Sequence, residues 1–444
     1  MSDPLVYLKS GRRSQNCPQQ TRLKLTENGL VWQENGNRQS LSRDEILGVE
    51  QMPGNPLGFV ISACPTIARG SWYPRRSPRT RTLYKKTFIC ESEAQRSRWV
   101  GAIASTLPDN PQRRWWVAVN PVSGRRRGWQ IFEQVRPILE AAGVQLTAIA
   151  TTHPGHVRDL VRNLDLSQYD GLALVGGDGI VHEAIAGLAS REDAENALKT
   201  PIAPIPAGTG NGLCKALLDA ATEAYDPIAA ALAIAKGRPR PLDLAAIAHR
   251  GRRYYSLLSL SWAIVSEVDI HSERLRFLGS LRTDLYAIWQ IFKLPTYRAR
   301  FSFLPYDRAN LLTQNSFKNC QDREQKDWQT IEAEFIVFWA MNVPWSAYNL
   351  KPAPLAHLSD GAIDVVAIRR GVSRWQVLQA FLKCATGEHL TLPGVEYYKV
   401  AAFALDPFVQ NSIISIDGEA IAADSVNIEV LPGKARVMSL ETTI

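Results

Sequence analysis

Asp178 stands between glycines in the tetrad Gly176-Gly177-Asp178-Gly179, directly after the apolar run 172–175. A carboxylate held in such a turn can take a proton from a hydroxyl as that hydroxyl attacks a phosphate, which is general-base catalysis supported by positioning. Aspartate in that place equally suits the N-cap of the helix that follows. Two further turns share the context, NPVSG at 120–124 and PAGTGN at 206–211. In an open parallel sheet, ligands bind at the carboxyl ends of strands, where helix N-termini offer unpaired N–H groups and the positive end of the helix dipole. One glycine after a strand often does no more than permit a tight turn; three such turns converging favour a polyphosphate. The chain contains no G-x-x-x-x-G-K-[ST] loop, no HRD or DFG and no G-x-G-x-x-G fingerprint. A P-loop ATPase, a protein kinase and a nicotinamide-dependent dehydrogenase therefore lose their support.

The elements that must position these turns can be read from residue 115 onward. Short continuous apolar runs alternate there with amphipathic segments, the signature of βαβ units on a buried parallel sheet. Strands are expected at 115–120, 146–150, 172–175 and 202–205, and helices at 129–142, 156–164, 180–188 and 212–220. After Pro241 the chain turns β-rich, with runs at 254–265, 298–303, 333–341, 362–368, 399–405 and 413–416. The expected architecture is an α/β nucleotide-binding domain with a parallel sheet (115–240), followed by an antiparallel β-sandwich-like domain (241–444). Residues 20–90 instead alternate with period two between turns such as Glu27-Asn28-Gly29. Ser92 with Gln95 fits a capping box, and Trp99, Val100, Ile103, Ala104 and Leu107 form one helical face before Pro108. Strands closed by a helix carrying a tryptophan resemble a pleckstrin-homology-type (PH-like) domain, which would occupy 1–110.

Composition narrows the class further. The chain has 444 residues, 45% of them hydrophobic and 21% charged, so it has the material for several globular cores. No apolar stretch reaches the roughly 18–20 residues of a membrane span, and the first residues lack a signal-peptide core. A cytoplasmic protein is expected. Its six cysteines are too far apart for a CxxC metal or redox motif. Residues 1–114 hold 18 Lys and Arg against 9 Asp and Glu, whereas the remainder holds 33 against 34. Seven basic residues (Arg69, Arg75, Arg76, Arg79, Arg81, Lys85, Lys86) fall in one segment without an acidic one. Such a segment is either a solvated hairpin loop or a site of attraction to anionic phospholipid, each basic residue near a bilayer contributing about 1 kcal/mol. Nucleic acid is not expected, because no nucleic-acid module accompanies the patch.

NPVSG, then Gly176-Gly177-Asp178-Gly179 followed by Ile180-Val181-His182-Glu183, then PAGTGN, resembles the diacylglycerol kinase catalytic domain. The segments SLSWAIVSEVDIHSERLRFLGSLR (259–282) and PTYRARFSFLP (295–305), with the late Ile416-Asp417-Gly418-Glu419, are most similar to sphingosine kinases. The resemblance spans about residues 115–430. It implies a lipid kinase that uses ATP and Mg2+ to phosphorylate the primary hydroxyl of a sphingoid long-chain base at a membrane surface, with diacylglycerol or ceramide as alternative substrates. A non-catalytic lipid-binding protein is the reading from another class.

The resemblance makes Asp178 the base, with Gly176, Gly177 and Gly179 beside both substrates. Asn120, Pro121, Val122, Thr151, Glu183, Gly208, Thr209 and Gly210 would line the ATP site. Arg276 and Arg282 would bind its phosphates, and Asp417, Gly418 and Glu419 would lie near the nucleotide. Asp269 would be the counter-ion of the lipid amine, since a carboxylate pairs with an ammonium and diacylglycerol offers none. Read without the resemblance, Glu267, Asp269, Glu273, Arg276 and Arg282 are charges on a solvated helix, and His182 lies on a helix surface. The first loop reads GRRRG, so Arg125 to Arg127 bring guanidinium contacts where relatives carry glycine and lysine. The sequence names no metal ligands and no oligomeric state.

Overall fold

Apolar runs bounded by glycine, proline and aspartate form the central strands, and this pattern sets the fold of the parallel half. In a computed structural model, the described residues are 5–8, 19–67, 80–107, 113–208, 210–271, 281–307, 327–409 and 412–441. The strands Gln145–Ala150, Arg114–Val119, Gly171–Gly176 and Pro201–Pro206 lie side by side in that order, all parallel. The helices His156–Asn163, Asp178–Ala189 and Gly212–Ala220 pack on one face through Val161, Ile185 and Leu213. Gly128–Ala141 and Pro227–Lys236 cover the other through Phe132, Val135 and Ile234. With both faces covered, side chains on both sides of every strand must be apolar, which is why the runs are continuous rather than alternating.

The eight elements expected between 115 and 220 all form, with ends moved by one or two residues. Pro227–Lys236 was not foreseen. Its start is well marked, with Pro227 in the first turn and Asp226 Oδ1 accepting from Ile228 N at 2.7 Å. Residues 229–235 are nearly all buried, so the helix lacks the amphipathic period that reveals a surface helix. The expected strand 254–265 is in fact two strands, Arg252–Ser256 and Ser259–Ala263, followed by the helix Ile264–His271. Ala263 turns the chain between strand and helix with φ of +63°.

The C-terminal half is mostly antiparallel. Two long strands, Gln329–Met341 and Val395–Pro407, each pair with Tyr297–Pro305 along one part and with Ile363–Arg369 along the other. The bulges this requires fall at 335–337 and 304–305. The core between them holds Trp262, Phe301, Phe338 and Phe403. The last strand, Val426–Ser439, runs antiparallel to Arg238–His249 and ends parallel to Pro201–Pro206. One sheet therefore continues from the parallel half into the antiparallel half.

The N-terminal residues form a five-stranded antiparallel sheet, a three-stranded one (Lys24–Thr26, Gly29–Glu34, Asn37–Ser42) and the helix Glu93–Ala104. Ser92 Oγ accepts from Gln95 N, while Gln95 Oε1 accepts from Glu91 N rather than from the capping residue. Trp99 is fully buried with Trp32, Phe59 and Phe88. This unit docks firmly on the parallel half, with Leu47 and Cys64 packed against Ile138 and Leu232. Arg81 Nε and Nη2 donate to both carboxylate oxygens of Glu223. Among the seven clustered basic residues, Arg81 thus faces another domain and Lys86 pairs with Glu34 at 2.6 Å. Arg69, Arg75, Arg76 and Arg79 lie outside the described residues. Among the described residues no helix is long and apolar enough to cross a membrane.

Candidate active site

The three glycine turns meet at the carboxyl edge of the parallel sheet. Asn120 N donates to Val175 O, Ala207 N and Gly208 N donate to Gly176 O, and Asp178 N donates to Gly210 O. Backbone lies against backbone here. Gly124 has φ of +56°, and a Cβ on it would sit 1.9 Å from Ala207 O; one on Gly208 would sit 2.8 Å from Gly177 Cα. Only glycine allows that approach. Asn211 Nδ2 donates to Gly208 O at 2.7 Å and holds the third turn. Asn120 Oδ1 accepts from Val122 N at 3.1 Å, leaving Pro121 half-buried and Val122 exposed. On the neighbouring strand, Thr151 N donates to Val119 O, placing Thr151 on the same edge.

Asp178 does not cap its own helix. Gly177 is the N-cap there, without a side-chain bond. The buried Asp178 carboxylate reaches the start of Gly212–Ala220 instead, where Oδ2 accepts from Gly212 N at 2.6 Å and Oδ1 from Leu213 N at 3.2 Å. Burial pushes its pKa up, the two amide bonds pull it down, and the nearby charge of Asp417 raises it; the result is about 7. A carboxyl poised there can exchange a proton near neutral pH.

His182 is four residues after Asp178, one helical turn on and on the same side. It is buried, contrary to its expected place on the helix surface. Its Nδ1 lies 2.9 Å from Asp417 Oδ2, and its Nε2 lies 3.9 Å from Glu419 Oε2. Burial works against the imidazolium, but Asp417, Glu419 and Glu183 outweigh it and the pKa is raised. Asp417, with φ of +49°, also accepts bonds from Ser256 Oγ and from the amides of Leu257, Leu258 and Ser259. The Asp417-Gly418-Glu419 turn is thereby fastened both to the hairpin of the β-rich half and to the helix that carries Asp178.

Glu183 lies on that helix and accepts from Gly155 N at 2.8 Å and Val157 N at 3.1 Å, orienting the start of His156–Asn163. Asp269 is exposed on Ile264–His271, and its Oδ2 accepts from Ser415 Oγ at 2.5 Å. Glu267 on the same helix pairs with His271 at 2.7 Å. Arg276 and Thr209 lie outside the described residues, as does Glu273 with its expected partnership to Arg276. Arg282 is on the helix Leu281–Lys293. Sequence reasoning placed His182 on a helix surface and gave no role to Asn211 or to the 256–259 turn. For His182 the signal was available in its i,i+4 relation to Asp178; the turn carries no motif.

The diacylglycerol kinase catalytic domain model matches residues 114–247, and the YegS C-terminal NAD kinase beta sandwich-like domain matches residues 295–439. Sphingosine kinase 2 of Arabidopsis thaliana is 32% identical over 429 residues, covering 90% of this chain and 88% of that protein. Sphingosine kinase 1 of the same plant is 35% identical, covering 69% and 68%. Sphingosine kinase 1 of Homo sapiens is 29% identical, covering 71% and 88%. A diacylglycerol kinase from Bacillus anthracis str. Sterne superposes with a TM-score of 0.52 at 17% identity, over 75% of this chain and 98% of that one. At that identity the likeness concerns the fold: a mixed, partly parallel sheet followed by a β-rich domain.

Proposed function

The chain belongs to the sphingosine kinase family of ATP-dependent lipid kinases, and from that premise we propose that it moves the γ-phosphoryl group of ATP to the primary hydroxyl of a sphingoid long-chain base. The observation that carries this reading is Asp178, a buried carboxyl raised to about 7 where three glycine turns meet. As the lipid oxygen bonds to the γ-phosphorus and the bond to the β-phosphate oxygen breaks, Asp178 takes the hydroxyl proton. Gly212 N–H and Leu213 N–H hold the carboxylate in one orientation during that transfer. Asn120, Pro121, Val122, Thr151, Gly208 and Gly210 edge the nucleotide, and Arg276 and Arg282 neutralise its phosphates. Gly418 and Glu419 reach it from the turn fastened by Asp417.

Among the described residues no three ligating side chains cluster for a cation. A protein cage for Mg2+ therefore does not fit the described residues. The ion would travel on the ATP phosphates, as this hard cation usually does. Asp269, exposed beside Ser415, is the counter-ion of the substrate ammonium. The chain would divide into a PH-like module at 1–110, the catalytic domain at 115–240 and a lipid-holding domain at 241–444. Its basic module would add attraction to anionic phospholipid, making the enzyme peripherally membrane-associated.

A diacylglycerol or ceramide kinase is the second reading, favoured by the catalytic-domain match. Phosphoryl transfer from labelled ATP to sphingosine, dihydrosphingosine, ceramide and diacylglycerol decides between them. The expected result is transfer to the two amines well above the neutral lipids. Preference for ceramide or diacylglycerol would reverse the assignment, and no transfer at all would leave a lipid-binding protein.

A further inference from the structure

His182 is a buried titratable group beside the glycine turns, and proton transfer to Asp178 makes no use of it. It closes the first turn of the helix Asp178–Ala189. Side chains on a helix lean toward its N-terminus, so the imidazole leans toward the carboxyl edge of the sheet. The helix dipole disfavours a cation at that end, yet the neighbours of the ring call for one. Nδ1 lies 2.9 Å from Asp417 Oδ2, and Nε2 lies 3.9 Å from Glu419 Oε2. Each ring nitrogen thus faces a carboxylate, and only the imidazolium carries a proton on both. Asp417 is buried, whereas the Glu419 side chain is 67% exposed and open to a ligand.

The charged groups around this ring are acidic. Asp178 and Glu183 stand on its own helix, Asp417 and Glu419 on the turn from the β-rich half. Among the described residues none of the four pairs with a lysine or an arginine; their partners are backbone amides, Ser256 and His182 itself. The other elements packed on the helix present apolar side chains: Val157 and Val161 from His156–Asn163, Leu213 and Leu217 from Gly212–Ala220. From Arg252–Ser256, Tyr255 packs inward with the Arg253 guanidinium 5.5 Å from its ring. Burial opposes the imidazolium, but Asp417, Glu419 and Glu183 outweigh it and raise its pKa. Several carboxylates at an edge that must receive a polyphosphate would repel it. The proton on His182 offsets one of those charges at the place where the two halves meet.

We propose that His182 is a positioning residue for the nucleotide: its imidazolium ties the Asp417-Gly418-Glu419 turn to the helix of Asp178 and balances the acids there, so that ATP binds with this proton in place. The inference rests on the kinase reading only in taking the three glycine turns as the nucleotide site. Linkage is reciprocal, so ATP must bind more weakly once the imidazole loses its proton. Calorimetric titration of the full chain with MgATP, without lipid, measures this directly. His182→Asn keeps an amide nitrogen for Asp417 and removes the charge. It should bind ATP about tenfold more weakly than the wild type at about pH 6.5, the order of one partly screened charge, and the gap should close by about pH 9. Asp178 titrates in both chains and cancels in the ratio. In the Asp178→Asn chain, where His182 titrates without it, ATP affinity should itself fall about tenfold across the same range. That chain carries the test alone should His182→Asn be unstable.

A gap of equal size at both ends of the pH range would make His182 a structural bond and overturn the proposal. So would the absence of any gap, or an affinity independent of pH in the Asp178→Asn chain. A wild type that phosphorylates sphingosine while His182→Asn binds ATP as tightly would leave the kinase reading standing without the proposal. A chain that binds ATP with the expected gap yet transfers no phosphate would uphold the role of His182 and remove the kinase reading.

Discussion

Two buried aspartates, Asp178 in the glycine turn and Asp417 in the Asp-Gly-Glu turn, have opposite electrostatics although they lie close enough to feel each other's charge. Burial works to raise both. At Asp178 two amide bonds from Gly212 and Leu213 offset part of that, no positive charge among the described residues helps, and the pKa ends at about 7. At Asp417 the bonds and charge of His182, with bonds from Ser256 and Ser259, outweigh burial and hold the carboxyl below its ordinary range. A carboxylate already accepting five hydrogen bonds has little basicity left to offer. One held by two amides at the mouth of a sheet can take up a proton. The difference is the one that the proposed reaction needs between a base and a structural tie, and it arises from the number and charge of the donors rather than from depth of burial.

Asp178→Asn gives the sharpest test of that distinction. Turnover should fall by about 10²–10⁴, the usual range for loss of a general base, while the asparagine carbonyl still accepts an amide bond and the fold persists. In the wild type, kcat/KM should rise with pH through about 7, because only the unprotonated carboxyl can accept. The stability effect has the opposite sign. Between the unfolded value near 3.8 and the folded value of about 7, the native state holds a proton that the unfolded chain has lost. Stability therefore declines as pH rises across that window, and Asp178→Asn should abolish the decline in chemical-denaturation curves.

Asp417→Ala should act on stability first. Removing it strands the His182 charge, the Ser256 hydroxyl and three amides, at a cost of about 3–5 kcal/mol in unfolding free energy. The wild-type contribution from Asp417 is present above the unfolded pKa of 3.8 and is lost as pH falls through its lowered folded value. An Asp417→Ala chain as stable as the wild type but devoid of turnover would exchange the roles assigned to the two aspartates.

A third carboxylate extends the comparison to an exposed setting. Asp269→Asn should raise KM for sphingosine-type amines by about tenfold, as expected when an ammonium loses its carboxylate partner once the lipid covers the pair. Activity on ceramide or diacylglycerol should hardly change, so the ratio of the two is the quantity to measure. Equal losses on both would make Asp269 a structural residue bonded to Ser415. The smallest effect is expected at Arg81, where Arg81→Ala removes the partner of Glu223 between the N-terminal residues and the parallel half. Unfolding free energy should drop by about 1–3 kcal/mol, with turnover in detergent unchanged.

Local sequence determined the parallel half of this protein almost completely, because strands buried on both faces and helices buried on one leave periodicities of their own. The glycines at 124, 177 and 208 were equally legible, since turns that must touch backbone to backbone admit no other residue. Pro227–Lys236 escaped because burial on nearly all sides erases the helical period. The partner of Asp178 was beyond local reading: its carboxylate caps a helix 34 residues later, not the helix it begins. The same holds for His182, whose bond to Asp417 spans 235 residues. Which surface of the β-rich half stays open was likewise decided only when Leu281–Lys293 and Arg374–Lys383 came together and turned their inner faces into one core. Residue type and spacing specify what a side chain can do chemically. Donors from distant parts of the chain set the pKa and the orientation, and only the folded sheet brings them within hydrogen-bonding distance of Asp178 and Asp417.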